Sequence, residues 1–212
     1  SSAPCAPTPS ASAATAAENE DPAMRIQQDE PDGPVIGRAL FLPGVNYHVR
    51  RHGLFWPART LLDHGWHLTR AEWDAEEWAE DEDGVVRTAV GQLEVAAPAA
   101  PRTIVVGKSI GSLALPWAAE RELAGIWLTP LLERSPVREA LQRAPRSLLV
   151  GGTADESWQP DDALRERHQV VEIAGMNHGM LVGSGWRESL AAMTVILTAV
   201  DAFLDAQAAR PS

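Results

Sequence analysis

The chain's single lysine, Lys108, stands beside Ser109 between two glycines, in Gly107-Lys108-Ser109-Ile110-Gly111. Gly-Lys-Ser closes a phosphate-binding P-loop, whereas Gly-x-Ser-x-Gly presents the nucleophile of a serine hydrolase. A P-loop needs a further glycine at position 102, where this chain has Arg102, and a pliable loop where it has Thr103-Ile104-Val105-Val106. β-Branched residues favour a straight strand over a phosphate cradle. A nucleophile elbow needs small residues two before and two after the serine, because the turn crowds the backbone there, and Gly107 and Gly111 meet that need.

Serine is a weak nucleophile at neutral pH, so it requires a base, and the base requires an acid to orient it. In a strand–turn–helix setting these partners follow in the order acid, then histidine, each on a loop after a later strand. Asp155 follows the apolar run SLLVGGT, and His178 follows QVVEIAG. The expected set is therefore Ser109 as nucleophile, Asp155 as acid, with Glu156 as its substitute, and His178 as base. An oxyanion needs donors. The N–H of Ile110 is one, and the turn Pro43-Gly44-Val45-Asn46-Tyr47 offers another, Val45 first and Asn46 second. Asn46, Tyr47 and Trp158 are the expected substrate contacts, with Trp117 a further candidate, although core packing is the ordinary use of tryptophan.

These groups require a scaffold that delivers them to one edge. From residue 35 onward short apolar runs alternate with helix-compatible segments, which predicts a mostly parallel sheet of about six strands with helices on both faces. The strands are expected at 38–44, 67–73, 103–109, 123–130, 146–153 and 168–175, with 24–30 as an added edge strand. Helices are expected at 53–64, 85–95 and 110–121. A last one, at 186–206, should carry Leu190, Met193, Leu197, Val200 and Leu204 on its buried stripe. Ligands of open sheets bind beyond the carboxyl ends of the strands, where the candidate residues fall.

At 212 residues and 45% hydrophobic the chain can bury one core, so a single domain over 24–212 is expected. Residues 1–23 are mostly Ala, Pro and Ser and read as a disordered tail. The formal charge of -11, with 29 acidic against 18 basic residues, argues against a nucleic-acid partner. The longest apolar runs, such as AAMTVILTAV at 191–200, fall short of the roughly 20 residues that span a bilayer, so no membrane association is expected. One cysteine, Cys5, permits no intrachain disulfide. With no apolar leader segment, a cytoplasmic location is the expectation. His48/His52 and His64/His67 have spacings that could pair imidazoles, but no further ligand completes a metal site. The run from Glu72 to Asp83 reads as a solvated acidic segment, in which Trp73 and Trp78 serve as buried anchors. Lys108 is expected to be a bystander paired with one of those carboxylates, an exposed contact worth about 0 to 1 kcal/mol.

Taken together, LPGVNY, VVGKSIGS, GTAD and MNHG resemble the α/β-hydrolase superfamily, in particular its small bacterial members with a Pro-Gly-x-x-Tyr loop and a Gly-Lys-Ser-Ile-Gly elbow. The resemblance runs from about Arg38 to the last helix. It implies a Ser109–Asp155–His178 triad, and the chain departs from fuller members in its shortened or missing N-terminal strands and in a minimal cap, since 131–145 is too short for a large one. It also implies an open site for a small-molecule acyl substrate and no cofactor. The rival expectation is a non-catalytic module of the same fold that binds a partner protein.

Overall fold

The computed structural model describes residues 24–73 and 81–209. The expected tail and most of the acidic run, with Trp78, lie outside the described residues. The strands are β1 (Arg25–Asp29), β2 (Gly37–Leu42), β3 (Trp66–Glu72), β4 (Thr103–Lys108), β5 (Gly125–Leu128), β6 (Leu148–Gly152) and β7 (Gln169–Ile173). They form one sheet in the order β1-β3-β2-β4-β5-β6-β7. β1 runs antiparallel to β3 and every other pairing is parallel. The helices are α1 (His52–Asp63), α2 (Glu82–Ala96), α3 (Leu115–Glu120), α4 (Ser135–Arg143), α5 (Asp162–Arg167) and α6 (Trp186–Ala208).

Both faces of the sheet are covered, which explains why its inner strands read as unbroken apolar runs. Successive side chains of a strand point to opposite faces. Ala39, Phe41, Ile104, Val106, Ile126 and Leu128 accordingly pack with Leu54 and Leu61 of α1 and Ile196 and Val200 of α6. Leu40, Leu42, Val105, Trp127 and Leu149 pack with Val86 and Leu93 of α2, Leu115 of α3 and Leu141 of α4. In the parallel register Leu42 pairs with Gly107, and Gly107 with Trp127. The carboxyl ends of β2, β4 and β5 therefore finish level, at one edge of the sheet.

Three expectations are corrected. The 131–145 stretch is no cap: it contains α4, whose buried Val137, Ala140 and Leu141 dock on the sheet's core. The segment 110–121 is not one helix. A 3-10 turn, Ser109–Ala114, leads into α3, because the chain must leave the elbow tightly before it can relax to the α pitch. On α6 the buried stripe is Met193, Ile196, Val200, Phe203 and Leu204, while Leu190 is exposed. α6 is long and apolar enough, by length and composition alone, to cross a membrane. Its docked stripe is buried, while Trp186, Leu190 and Val195 are exposed.

Candidate active site

The elbow is built by close contact. β4 ends at Lys108, and Ser109 follows in the left-handed region at φ 54°, a conformation that a non-glycine residue holds only when its surroundings impose it. A Cβ at Gly107 would lie 2.6 Å from the Trp127 ring and 2.8 Å from the Gly111 carbonyl oxygen, and one at Gly111 would collide with the Leu42 carbonyl. Both positions therefore demand glycine. Ser112 secures the turn by donating its hydroxyl to the Ser109 carbonyl at 2.6 Å while accepting from the Leu131 N–H at 3.1 Å. The sequence reading assigned Ser112 nothing; a serine one helical turn past the nucleophile was the available signal.

Asp155 is placed by the turn after β6, where its N–H donates to the Gly152 carbonyl at 3.0 Å. Its carboxylate is almost fully buried and takes the Ser157 N–H at 3.1 Å on Oδ1. Glu156 next to it is exposed and turned to solvent. His178 lies on the loop between β7 and α6, which closes on itself through Asn177: the Asn177 N–H donates to the Leu181 carbonyl, and the Leu181 N–H donates to Asn177 Oδ1. The Ala154 N–H donates to the Met176 carbonyl at 3.1 Å, joining the acid's turn to the histidine's loop.

These three side chains meet. His178 Nδ1 stands 2.9 and 3.0 Å from the two Asp155 oxygens, and His178 Nε2 stands 2.8 Å from Ser109 Oγ. With Asp155 ionised, Nδ1–H donates to the carboxylate, so Nε2 carries the lone pair and accepts the Ser109 hydroxyl proton. Ser109 is mostly buried, whereas the His178 side chain keeps 39% of its surface exposed, so the triad opens to solvent on the histidine's side.

The Pro-Gly turn lies against the nucleophile: a Cβ at Gly44 would be 3.1 Å from Ser109 Cβ. Tyr47 N–H donates to the Gly44 carbonyl, and Val45 and Asn46 are exposed at the tip of that turn. Asn46 adopts φ 49°, which asparagine tolerates better than most residues. Ile110 N–H lies at the first step of the 3-10 turn, beside Ser109.

Two expected substrate contacts are instead internal. Tyr47 is buried, and its hydroxyl accepts the Gly53 N–H at 3.1 Å; burial pushes its pKa up to about 12. Trp158 is only 6% exposed, with its ring against Gly151 and its Nε1–H donating to Glu172 at 2.8 Å. Trp117 is partly buried beneath the Arg121 guanidinium, 4.9 Å from its ring centroid. Trp73 is buried as an anchor.

The histidine pairs are split among separate tasks. His52 Nε2 lies 3.3 Å from the Met180 carbonyl and its ring packs edge-on to Tyr47, while His48 is exposed. His64 faces Asp201 of α6 at 2.9 Å, and His67 is buried in β3. Among the described residues no group of three metal-capable side chains occurs.

Lys108 departs most from expectation. It is 2% exposed, and its Nζ donates to Thr129 Oγ1 and to the His178 carbonyl, both at 3.0 Å. Of the described residues of the acidic run, Glu72 accepts from Gln27, Asp81 caps α2 through the Gly84 N–H, and Glu82 pairs with Arg134. Burial pushes the Lys108 amine down to about 8, against the opposing pull of the Asp155 charge.

No protein-family model and no curated protein matches the chain. Solved structures do. The chain is similar to Est1E from Butyrivibrio proteoclasticus at a TM-score of 0.66 and 16% identity, over 88% of this chain and 95% of that one. It is similar to an a/b serine hydrolase without lid from Xanthomonas campestris at a TM-score of 0.60 and 16% identity, over 89% and 91%. A Pyrococcus furiosus esterase matches at 0.58 and 13%, over 86% and 92%. At these identities the likeness establishes the fold, which is that of the α/β hydrolases.

Proposed function

We propose that the chain is a serine hydrolase that cleaves an ester, thioester or similar acyl bond of a small-molecule substrate through an acyl-enzyme, in the cytoplasm and without a cofactor. The observation that carries this reading is the continuous line from Ser109 Oγ through His178 to the buried Asp155, with contacts of 2.8 and 2.9 Å. His178 Nε2 takes the Ser109 proton as Oγ bonds to the substrate carbonyl carbon, and Asp155 stabilises the imidazolium that results. The carbonyl oxygen, now negative, accepts from Ile110 N–H and Val45 N–H, with Asn46 N–H the second choice for the latter. As the tetrahedral species collapses, the bond to the leaving oxygen or sulfur breaks and His178 returns the proton to it. Water then enters by the same route and gives a proton to His178 as its oxygen bonds to the acyl carbon; the bond to Ser109 Oγ breaks, His178 returns the proton to Oγ, and the acid is released.

Asn46, exposed at the turn tip, remains the candidate polar contact for substrate. For the apolar part, the candidate is a groove of about 430 Å³ lined by Trp56, Trp186, Leu190, Met193 and Leu181, the last from the loop that carries His178. Solved neighbours named as esterases support an oxygen ester as the first substrate to try. The test is turnover of short p-nitrophenyl esters by wild type and Ser109→Ala. Turnover lost in the variant supports the reading. A folded wild type that turns over none of them favours the non-catalytic module.

A further inference from the structure

Lys108 takes no part in the reaction steps above, yet it is buried where an ammonium needs every donor satisfied. An ammonium has three N–H donors, and three acceptors surround this one. Thr129 Oγ1 and the His178 carbonyl lie at 3.0 Å, and the Tyr47 ring centroid lies at 4.4 Å beneath the charge. These acceptors come from three separate segments: the end of β5, the loop that carries the base, and the turn that carries the second oxyanion donor.

Backbone strain gathers at the same place. Among the described residues five non-glycine residues have positive φ: Asn46, Ser109, Thr129, Met180 and Glu122. The first four each lie on, or within two residues of, Lys108 or one of its three acceptors. Thr129 is β-branched and holds φ 43°, an outlier for its type. Such conformations persist only where neighbouring contacts over-determine them.

We propose that Lys108 is a positioning residue whose buried ammonium clamps the His178 loop, the Thr129 strand end and the Tyr47 turn in register around Ser109. This role rests on the hydrolase reading. The titratable and charged groups that face the ammonium are Asp155 through its charge, Tyr47 through its ring and His178 through its carbonyl, with Arg51 5.8 Å from the Tyr47 centroid. Losing the ammonium should free the loop first and slow the chemistry as a consequence, with substrate binding little altered.

Two measurements on wild type, Lys108→Met and Thr129→Val test this. One is hydrogen exchange of loop amides 176–182 at fixed pH; the other is the rate at which a fluorophosphonate modifies Ser109, followed across pH. In Lys108→Met the loop should exchange about tenfold faster or more while the inner strands stay protected, and labelling should slow by a similar factor or more. With p-nitrophenyl esters the loss should fall on kcat and not on KM. Thr129→Val, which removes one acceptor and keeps the β-branched shape, should fall between, and it decides the matter if Lys108→Met does not fold. The wild-type labelling rate should decline above about pH 8, and Lys108→Met should lack that decline. Unchanged loop exchange in the folded variants overturns the clamp whatever the chemistry. A loosened loop with an unchanged labelling rate overturns its role in positioning. A wild type inert to the probe, with the loop loosened in the variant, overturns the hydrolase reading and the catalytic role with it.

Discussion

Replacing Lys108 by Met should separate stability from pH in a measurable way. The folded chain holds the Lys108 amine at about 8, against an ordinary value of 10.5, because burial penalises the charge. Between those two values the unfolded chain binds the proton and the folded chain does not, so folding is favoured as pH rises. Over the whole window the difference is worth about 3 kcal/mol, and about 2 kcal/mol of it should be gained between pH 8 and pH 10. Above pH 10 the gain is opposed by Tyr47, whose raised pKa means that the unfolded chain ionises first. Methionine fills a similar volume and has no proton to lose. Urea unfolding of wild type and Lys108→Met at several pH values isolates the lysine's contribution, since other alkaline groups cancel in the difference. With a urea dependence of about 2 kcal/mol per molar, the wild-type midpoint should rise by about 1 M relative to the variant from pH 8 to pH 10. Catalysis should move the other way over the same window, as the clamp loses its charge. Parallel midpoint curves for the two proteins would refute the burial argument.

Asp155→Asn should leave the fold intact and lower kcat about 10³- to 10⁴-fold, because an amide reverses the favoured tautomer of His178; circular dichroism and steady-state kinetics check both halves. Gly111→Ala should cost about 3 kcal/mol, since its Cβ meets the Leu42 carbonyl, whereas Gly91→Ala, exposed on α2 with nothing within 4 Å of a Cβ, should stabilise by about 0.5 to 1 kcal/mol; thermal melts compare them. His168 is buried, with Nε2–H donating to the Leu141 carbonyl and Nδ1 accepting the Ser147 N–H, and burial holds its pKa below the ordinary 6.5. Its unfolded form therefore binds the proton first, so stability should fall as pH drops below about 6.5, and His168→Gln should show a shallower decline in urea titrations.

The inner strands were legible because a parallel sheet covered on both faces leaves continuous apolar runs, as in Ile104–Val106 and Leu148–Val150. The seventh strand, β1, was legible only as an edge, since every residue in it but Ile26 is polar. α4 was obscured by its polarity: Arg138, Glu139, Gln142 and Arg143 outnumber the docked Val137, Ala140 and Leu141. The break of 109–121 into a 3-10 turn and a short helix depends on the Ser112 bonds, which propensity does not report. Leu190 satisfied the helical period, yet it lines the groove with Trp186 and is exposed there. At the site, chain order after successive strands was enough to pick out Ser109, Asp155 and His178 as neighbours. It could not assign Lys108, whose partners come from positions 129, 178 and 47. The available signal was a lone lysine at the end of a strand that is buried throughout, where an unpaired charge is rarely left.

The central claim is that Ser109 is a nucleophile made reactive by His178 and Asp155. Its most direct measurement is reaction of the purified chain with a fluorophosphonate, followed by mass spectrometry of its peptides. The expected result is a single adduct on Ser109, absent from Ser109→Ala and slowed strongly in His178→Gln. A folded wild type that takes no adduct, or takes it on another residue, would contradict the claim.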